Sequence, residues 1–323
     1  MNETRRQLLA ALAAGPVTGP ALATEIGVSR AAVWKQVEAL REEGFAIEST
    51  DEGYAITAVP AYGAAAIEYE LDAPYTVEYH ESIGSTNDRA RELAADGQRD
   101  IVVVADEQTG GRGRLARSWA SPSGGIWASA VLDPSLPAAH VPLVTLAAGV
   151  AVVDACRAVD VDATLKWPND VLVGADADSG ADEPSDGSER GGRKLAGILT
   201  EMEGEADRVS WLLVGVGLNA NIDADALPAG ATSLQQQVGD IDRRAVLQTV
   251  LESVSTLLGD PEAIIQRWRA YSSTLGRRVR VDTGREEIEG RAVDVQFPGA
   301  LVVDTDTGEE VVHAGDCEHL RPA

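Results

Sequence analysis

Lysine is nearly missing from this chain. Of 27 basic residues among 323, only Lys35, Lys166 and Lys194 are lysines, and they stand with the arginines against 52 acids, a net charge of −25. A dense surface charge of one sign repels itself in dilute buffer and is screened in concentrated salt, where the Debye length falls to roughly 3 Å at 1 M. The balance reads as that of a cytoplasmic protein from a salt-loaded, halophilic cell, and it makes any acid-free stretch informative. Cysteine is as scarce: Cys156 and Cys317 lie far apart, which is neither a disulfide framework nor a zinc pattern and points to a reducing compartment. His313, Cys317 and His319 share one short polar stretch without a second ligand pair, so no protein-held metal is expected. No uninterrupted apolar run approaches the roughly 18 residues of a membrane span, so no membrane partner is expected. Thr4-Arg5-Arg6-Gln7-Leu8-Leu9 has the look of a twin-arginine export signal, but its apolar stretch from Leu8 stops at Gly15-Pro16, too soon for that use.

What is present begins with a compact module. A helix to about Ala14, a short one over Gly19 to Ile26, and a third capped by Ser29 with Val33, Val37 and Leu40 at i, i+4 and i+7 have helix-turn-helix spacing. Phe45 to Ser49 and Tyr54 to Thr57, joined through Thr50-Asp51-Glu52-Gly53, supply the hairpin of a winged helix-turn-helix over residues 1–60. Ser29, Arg30 and Lys35 are its candidate DNA contacts, in a stretch to Gln36 that holds no acid. The module as a whole has five bases against eight acids, a poor electrostatic footprint, so binding would rest on base edges in the major groove. An interaction module that no longer touches DNA stays open.

Residues 61–74, rich in Ala, Pro and Tyr, read as a linker. Over 75–275, strand-like Ile101 to Ala105, Ile126 to Leu132, Ala163 to Trp167, Leu195 to Thr200 and Val209 to Val216 mix with helical periodicity at Val141 to Ala158 and Arg243 to Leu258. The fold class is α+β, built around one mixed sheet. From 276 to 323, short β-rich runs at Arg278, Arg291, Ala300 and Glu310 with glycine turns read as a small barrel. Residues 174–192 are a low-complexity insertion with six acids, expected to project into solvent.

Gln108 to Leu132 contains no Asp or Glu at all. Within it lies Gly110-Gly111-Arg112-Gly113-Arg114-Leu115-Ala116-Arg117-Ser118-Trp119, where glycines allow close backbone approach and three guanidiniums offer forks for a phosphate or carboxylate. Gly111-x-Gly113-x-x-Ala116 formally fits a dinucleotide fingerprint, but Arg117 to Gly125 contains Pro122 and two glycines and cannot be the helix that would hold a pyrophosphate. Two of the three lysines, Lys166 and Lys194, flank the acidic insertion. A lysine retained in an arginine-using chain suits a site that needs a compact point charge, as phosphoryl transfer does.

Together these residues resemble the bifunctional biotin operon repressor and biotin protein ligase family. The likeness runs through Ser29-Arg30-Ala31-Ala32-Val33-Trp34-Lys35, Ser85-Thr86-Asn87, the arginine loop with Trp119, Lys166-Trp167-Pro168-Asn169-Asp170, Arg193-Lys194-Leu195-Ala196-Gly197-Ile198, Gly215-Val216-Gly217-Leu218-Asn219 and the terminal β-rich region. It implies a catalytic domain like those of class II aminoacyl-tRNA synthetases followed by an SH3-like barrel. The implied activity is ATP-dependent activation of biotin to biotinyl-5′-AMP and transfer to a lysine of a biotin carboxyl carrier domain, with Mg2+ accompanying ATP. Operator DNA and a homodimer are the other implied partners.

The resemblance assigns Lys194, Arg112 and Arg114 to catalysis. Biotin is assigned to Ser85, Thr86, Asn87, Gln108, Gly111, Arg112, Gly113, Arg114, Lys194 and Gly197. The ATP side takes Arg114, Arg117, Trp119, Lys166, Asn169, Asp170, Lys194 and Asn219, with Asp170 as a contact for the metal. Two features depart from the family: no aromatic residue follows Asn219 before Leu234, and Ala116 stands where the family's loop commonly has glycine. A biotin-sensing regulator without ligase activity, and a ligase for another carboxylic acid such as lipoate, are the alternatives.

Overall fold

The structure is a computed structural model that describes residues 3–133, 137–174, 192–205 and 208–320. Most of the acidic insertion, and with it the expectation that it projects into solvent, lies outside the described residues.

The amino-terminal module is α1 (Glu3–Ala13), α2 (Gly19–Ile26), α3 (Arg30–Glu42) and the hairpin β1 (Ala46–Thr50) and β2 (Gly53–Ala58). Thr18 caps α2 and Ser29 caps α3, each accepting from a backbone N–H three residues on. Leu8, Leu9, Leu12, Leu22, Val33, Val37 and Leu40 form one closed core. The leucines after the arginine pair are therefore packing residues of α1. Arg5 is engaged by Gln36 of α3 and by Glu43 at that helix's C-cap.

The segment read as a linker holds a further element, α4 (Ala64–Glu68). Composition hid it because its alanines are apolar without a helical stripe. Ala65 and Tyr69 join the amino-terminal core, while Ile67 is fully buried in the large core of the next domain. Glu68 sits between the two, accepting the Val77 N–H at 2.7 Å and lying 3.7 Å from Arg6.

The central domain continues with β3 (Thr76–Ile83), α5 (Thr86–Ala95), β4 (Ile101–Gln108), β5 (Ile126–Leu132), α6 (Val141–Ala158), β6 (Ala163–Lys166), β7 (Asp170–Val173), β8 (Arg193–Glu205), β9 (Arg208–Leu218), α7 (Leu234–Val238), α8 (Arg243–Leu257) and α9 (Pro261–Tyr271). Seven strands form one mixed sheet in the order β3-β4-β5-β9-β8-β7-β6, parallel only between β3 and β4. Alternation along the strands gives it two faces. Val102, Val104, Val214 and Val216 point into the large core with α6, α8 and α9. Val103, Val131 and Leu213 pack under α5 on the other side. By length and composition α6 could cross a membrane, but it is mostly buried here as the core helix.

The chain ends in β10 (Arg278–Asp282), β11 (Glu287–Gln296), β12 (Ala300–Thr305), β13 (Gly308–Val312) and β14 (Asp316–His319), an antiparallel sheet in the order β13-β12-β11-β10-β14. Its Val279, Val281, Val303 and Cys317 belong to the same core cluster as α6. The Trp167 indole crosses the junction and donates to the Gly299 carbonyl at 3.0 Å, and the Trp167 N–H bonds Thr274, which in turn meets His319. His319 and Cys317 are thus junction residues, and no group of three or more His, Cys, Asp or Glu side chains suited to a metal occurs among the described residues.

Ile67→Ala should lower stability by about 2–5 kcal/mol, the cost of emptying a closed aliphatic site, as read from the denaturant midpoint. A loss below 0.5 kcal/mol would mean that α4 merely rests on the core.

Candidate active site

A cavity of about 380 Å³ opens on the α5 side of the sheet. Its floor is made by alternation in β8 and β9: Ala196, Ile198, Val214, Val216 and Leu218 face the core, which turns Gly197, Gly215 and Gly217 to the other side. A side chain on any of the three would close the floor. A Cβ would stand 2.2 Å from Asn87 Oδ1 at Gly215, 2.9 Å from Trp119 Nε1 at Gly217 and 3.1 Å from the Trp119 ring at Gly197.

One end of the cavity is polar and uncharged. The Ser85 hydroxyl caps α5 by accepting the Asp88 N–H, which leaves its own proton to give. Gln108, at the end of β4, accepts from the Thr86 N–H at 2.8 Å and donates to Ser121 at 3.1 Å. Asn87 reaches Glu201, and Ser129 stands beneath both Asn87 and Thr86. Ser121, Ser129 and Glu201 carried no sequence signal, since each is a lone residue on a strand or turn.

The other end is cationic, and every arginine of the loop has an acidic partner from outside it. Arg112 pairs with Asp88 of α5 and Arg117 with Asp316 of β14. Arg114 bonds Asn169 at 3.2 Å and the Gly315 carbonyl at 3.0 Å, with Asp316 at 3.8 Å. Lys194 Nζ lies 2.8 Å from Asp170 and 5.1 Å from the centre of the Trp119 ring. Lys166 is buried in the wall at the end of β6. No motif singles out Asp316 or Glu318, which line the cavity from the carboxy-terminal sheet some 200 residues beyond the loop.

The structure gathers every predicted cavity residue except one. Gly111 is not in the wall; it lets the loop fold back, because a Cβ there would stand 2.6 Å from the Trp119 carbonyl. Asn219 lines the cavity, yet its amide donates to the Thr232 carbonyl at 2.9 Å and so also holds the following turn. Leu115 and Ala116 both adopt left-handed backbone, with φ of 54° and 57°, so Ala116 occupies a conformation that glycine takes without strain. Trp119 Nε1 is buried without a protein acceptor.

Arg30 and Lys35 of α3 and Ser29 at its N-cap are exposed, although the Ser29 oxygen is spent on the cap. Trp34 shares this face and is 57% exposed, a large apolar side chain that the charge-based reading passed over.

An anion-handling cleft behind a winged helix-turn-helix defines a ligand-binding protein with a nucleic-acid-type module. The biotin/lipoate A/B protein ligase family model matches residues 79–219, a model described as HTH domain matches 4–55, and one described as biotin protein ligase C terminal domain matches 274–320. The bifunctional ligase/repressor BirA of Bacillus subtilis (strain 168) is 33% identical, with 94% of this chain and 93% of that protein covered. The biotin–[acetyl-CoA-carboxylase] ligase of Mycobacterium tuberculosis is 34% identical, over 74% of this chain and 86% of that protein. The structure of biotin protein ligase from Aquifex aeolicus in complex with biotin and ATP superposes with a TM-score of 0.60 at 28% identity, covering 76% of this chain and 99% of that one. This chain belongs to the biotin/lipoate A/B protein ligase family.

Gly217→Ala should displace the Trp119 indole and raise the KM for the acid substrate at least about tenfold while leaving the fold intact, because a Cβ at 2.9 Å cannot be accommodated in place. Steady-state kinetics beside a thermal melt would check it. The Arg112 guanidinium beside Asp88 holds that carboxyl below its ordinary 3.8, against the opposing effect of burial. The pair's stabilisation is therefore complete above the ordinary value and is lost as pH falls through the depressed one. A carboxyl NMR titration of Asp88 should find its midpoint below 3.8, and should find it raised in Arg112→Ala.

Proposed function

We propose that the chain is an ATP-dependent biotin protein ligase that also acts as a biotin-responsive transcriptional repressor through its helix-turn-helix. The observation that carries this reading is a single cleft with an uncharged hydrogen-bonding end at Ser85, Thr86 and Gln108 and a cationic end at Lys194, Arg112 and Arg114. A ureido ring needs neutral donors and acceptors. A carboxylate approaching a polyphosphate needs positive charge where the pentacoordinate phosphorus develops.

In the first step a biotin carboxylate oxygen attacks the α-phosphorus of ATP, the bond to the bridging oxygen breaks, and pyrophosphate leaves. Lys194 and Arg112 stand where the attacking and equatorial oxygens gather charge; Arg114, Arg117 and Lys166 face the leaving phosphates. In the second step the amine of a carrier-domain lysine attacks the acyl carbonyl, loses a proton to solvent, and AMP departs. Trp119 closes over the floor glycines, and its unpaired Nε1–H, costing about 1–3 kcal/mol while unmet, offers a donor to the bound adenylate. Asn169, Asp170 and Asn219 bound the nucleotide side. Mg2+ accompanying ATP would supply charge neutralisation, and Asp170, paired with Lys194, is the carboxylate that would meet it.

The same reading divides the chain at 1–60, 61–74, 75–275 and 276–323, with a class II synthetase-like central domain and an SH3-like final one. It places the protein in the cytoplasm of a salt-rich cell, as a homodimer when it meets operator DNA through Arg30, Lys35 and the exposed Trp34. The lipoate alternative leaves the ureido-matching end without purpose, and the pure sensor leaves the cations without purpose.

Biotin-dependent ATP–pyrophosphate exchange in high potassium chloride, with lipoate as control acid, tests the reading; exchange with biotin alone is expected. Lys194→Ala should cut exchange by about a thousandfold. Arg30→Ala should exchange normally and bind operator DNA more weakly. Absence of exchange by the folded wild type would leave the sensor.

A further inference from the structure

We propose that Glu201, on β8 behind the polar end of the cleft, is a positioning residue for acid recognition: its charge sets the direction of the hydrogen-bond chain that runs through Asn87 and Ser129 to Thr86. The proposal rests on the reading that this end receives a ureido ring.

The side chain of Asn87 is nearly buried, and an amide can face either way unless its neighbours decide. Here they decide. Glu201 Oε2 lies 2.8 Å from Nδ2 and the Leu199 carbonyl lies on the same side at 3.5 Å, both of them acceptors only. A flipped amide would set its oxygen against a carboxylate. Oδ1 is therefore turned to Ser129, and because Oδ1 cannot donate, the single proton of the fully buried Ser129 is committed to it. Ser129 Oγ also lies 2.8 Å from Thr86 Oγ1, in position to give that oxygen its proton when Oδ1 does not take it.

The consequence reaches the cavity through Thr86. Its hydroxyl proton goes to Gln108 Oε1 at 3.1 Å, so its lone pairs are what it offers outward, clear of the Ser129 proton while Asn87 holds that proton. Gln108 is oriented too, since its Oε1 takes the Thr86 N–H and its Nε2 gives to Ser121. Gln108 Oε1, taking both the N–H and the hydroxyl of Thr86, thus holds Thr86 as an acceptor for a ureido N–H, while Ser85 keeps a proton for the ureido carbonyl. Without a charge at 201 the Asn87 amide can turn, the Ser129 proton can swing to Thr86 Oγ1, and a lone pair that Thr86 offers the ligand's N–H is taken up inside the protein.

Glu201 is itself held. Arg91 bonds Glu201 Oε1 at 2.8 Å and, with its other terminal nitrogen, Asp88 at 2.8 Å. Asp88 is the partner of Arg112, so one chain of charges runs from the ureido end to the arginine loop. Gly215 leaves the slot that Asn87 Oδ1 fills.

The test compares full-length wild type with Glu201→Gln, Glu201→Asp and Ser129→Ala by biotin-dependent ATP–pyrophosphate exchange, beside a thermal melt. Glu201→Gln and Ser129→Ala should each raise the KM for biotin by about tenfold or more, with the KM for ATP within about twofold and kcat falling less than the KM rises. Glu201→Asp, which keeps the charge, should recover most of the loss. If wild type exchanges with biotin but Glu201→Gln and Ser129→Ala keep its KM, or if the KM values for biotin and ATP rise together, Glu201 does not direct the chain and the inference fails alone. If wild type itself shows no exchange, the ligase reading falls first. Should Glu201→Gln not fold, Ser129→Ala decides.

Discussion

Positive charge in this protein has to be held in place by negative charge. With 52 acids in the chain, a guanidinium at the cleft always has a carboxylate within reach, and the fold exploits this. The arginine loop has no acids of its own, so the carboxylates that fix it come from α5 and from β14, and Lys194 is fixed by Asp170. Such partly exposed pairs are worth roughly 0–1 kcal/mol each, little beside what a polyphosphate offers the same cations. The cleft can therefore keep its cations ordered without competing seriously with its substrate.

That arrangement needs the carboxy-terminal sheet to be a fixed wall. It is one, because its inner valines share a single core with α6 and because Trp167, at the turn between β6 and β7, is bonded across the junction. The amino-terminal module is tied differently. Helix α4 gives residues to both cores, and Gln248 of α8 donates to the carbonyls of Ile67 and Tyr69 on either side of its end. Arg243, one turn before Gln248 on the same helix, bonds Asp106 at 2.8 Å and lies over the Tyr62 ring at 4.3 Å. A single helix thus touches the segment leading from the amino-terminal module and the strand that ends at Gln108.

Much of this was legible in the residues. Repeated apolar spacing marked α3, α6 and α8, and apolar runs marked β4, β5, β6, β8 and β9, because these elements bury whole faces. The reading missed β3, whose sequence TVEYHESI buries only Val77, and β7, which is four residues long behind a Pro-Asn turn. It missed α5 and α9, although Ser85 and Asp260 cap them, since short helices with mixed faces give weak periodicity. In the cleft, the arginines and lysines stood out against an acidic background. Apart from Asp170 their partners did not, because Asp88 and Asp316 look like any other surface acid until the fold brings them to the loop, and Glu201 behind Asn87 is hidden for the same reason.

The floor of the cleft is built from missing side chains, and this gives it an unusual evolutionary direction. At positions 197, 215 and 217 every substitution adds atoms, and each first atom already meets Asn87 or Trp119. Selectivity can drift from there only toward smaller or thinner ligands. A lineage needing a bulkier acid would have to remodel the walls and the loop instead, which ties any change of substrate to the same residues that hold the phosphates.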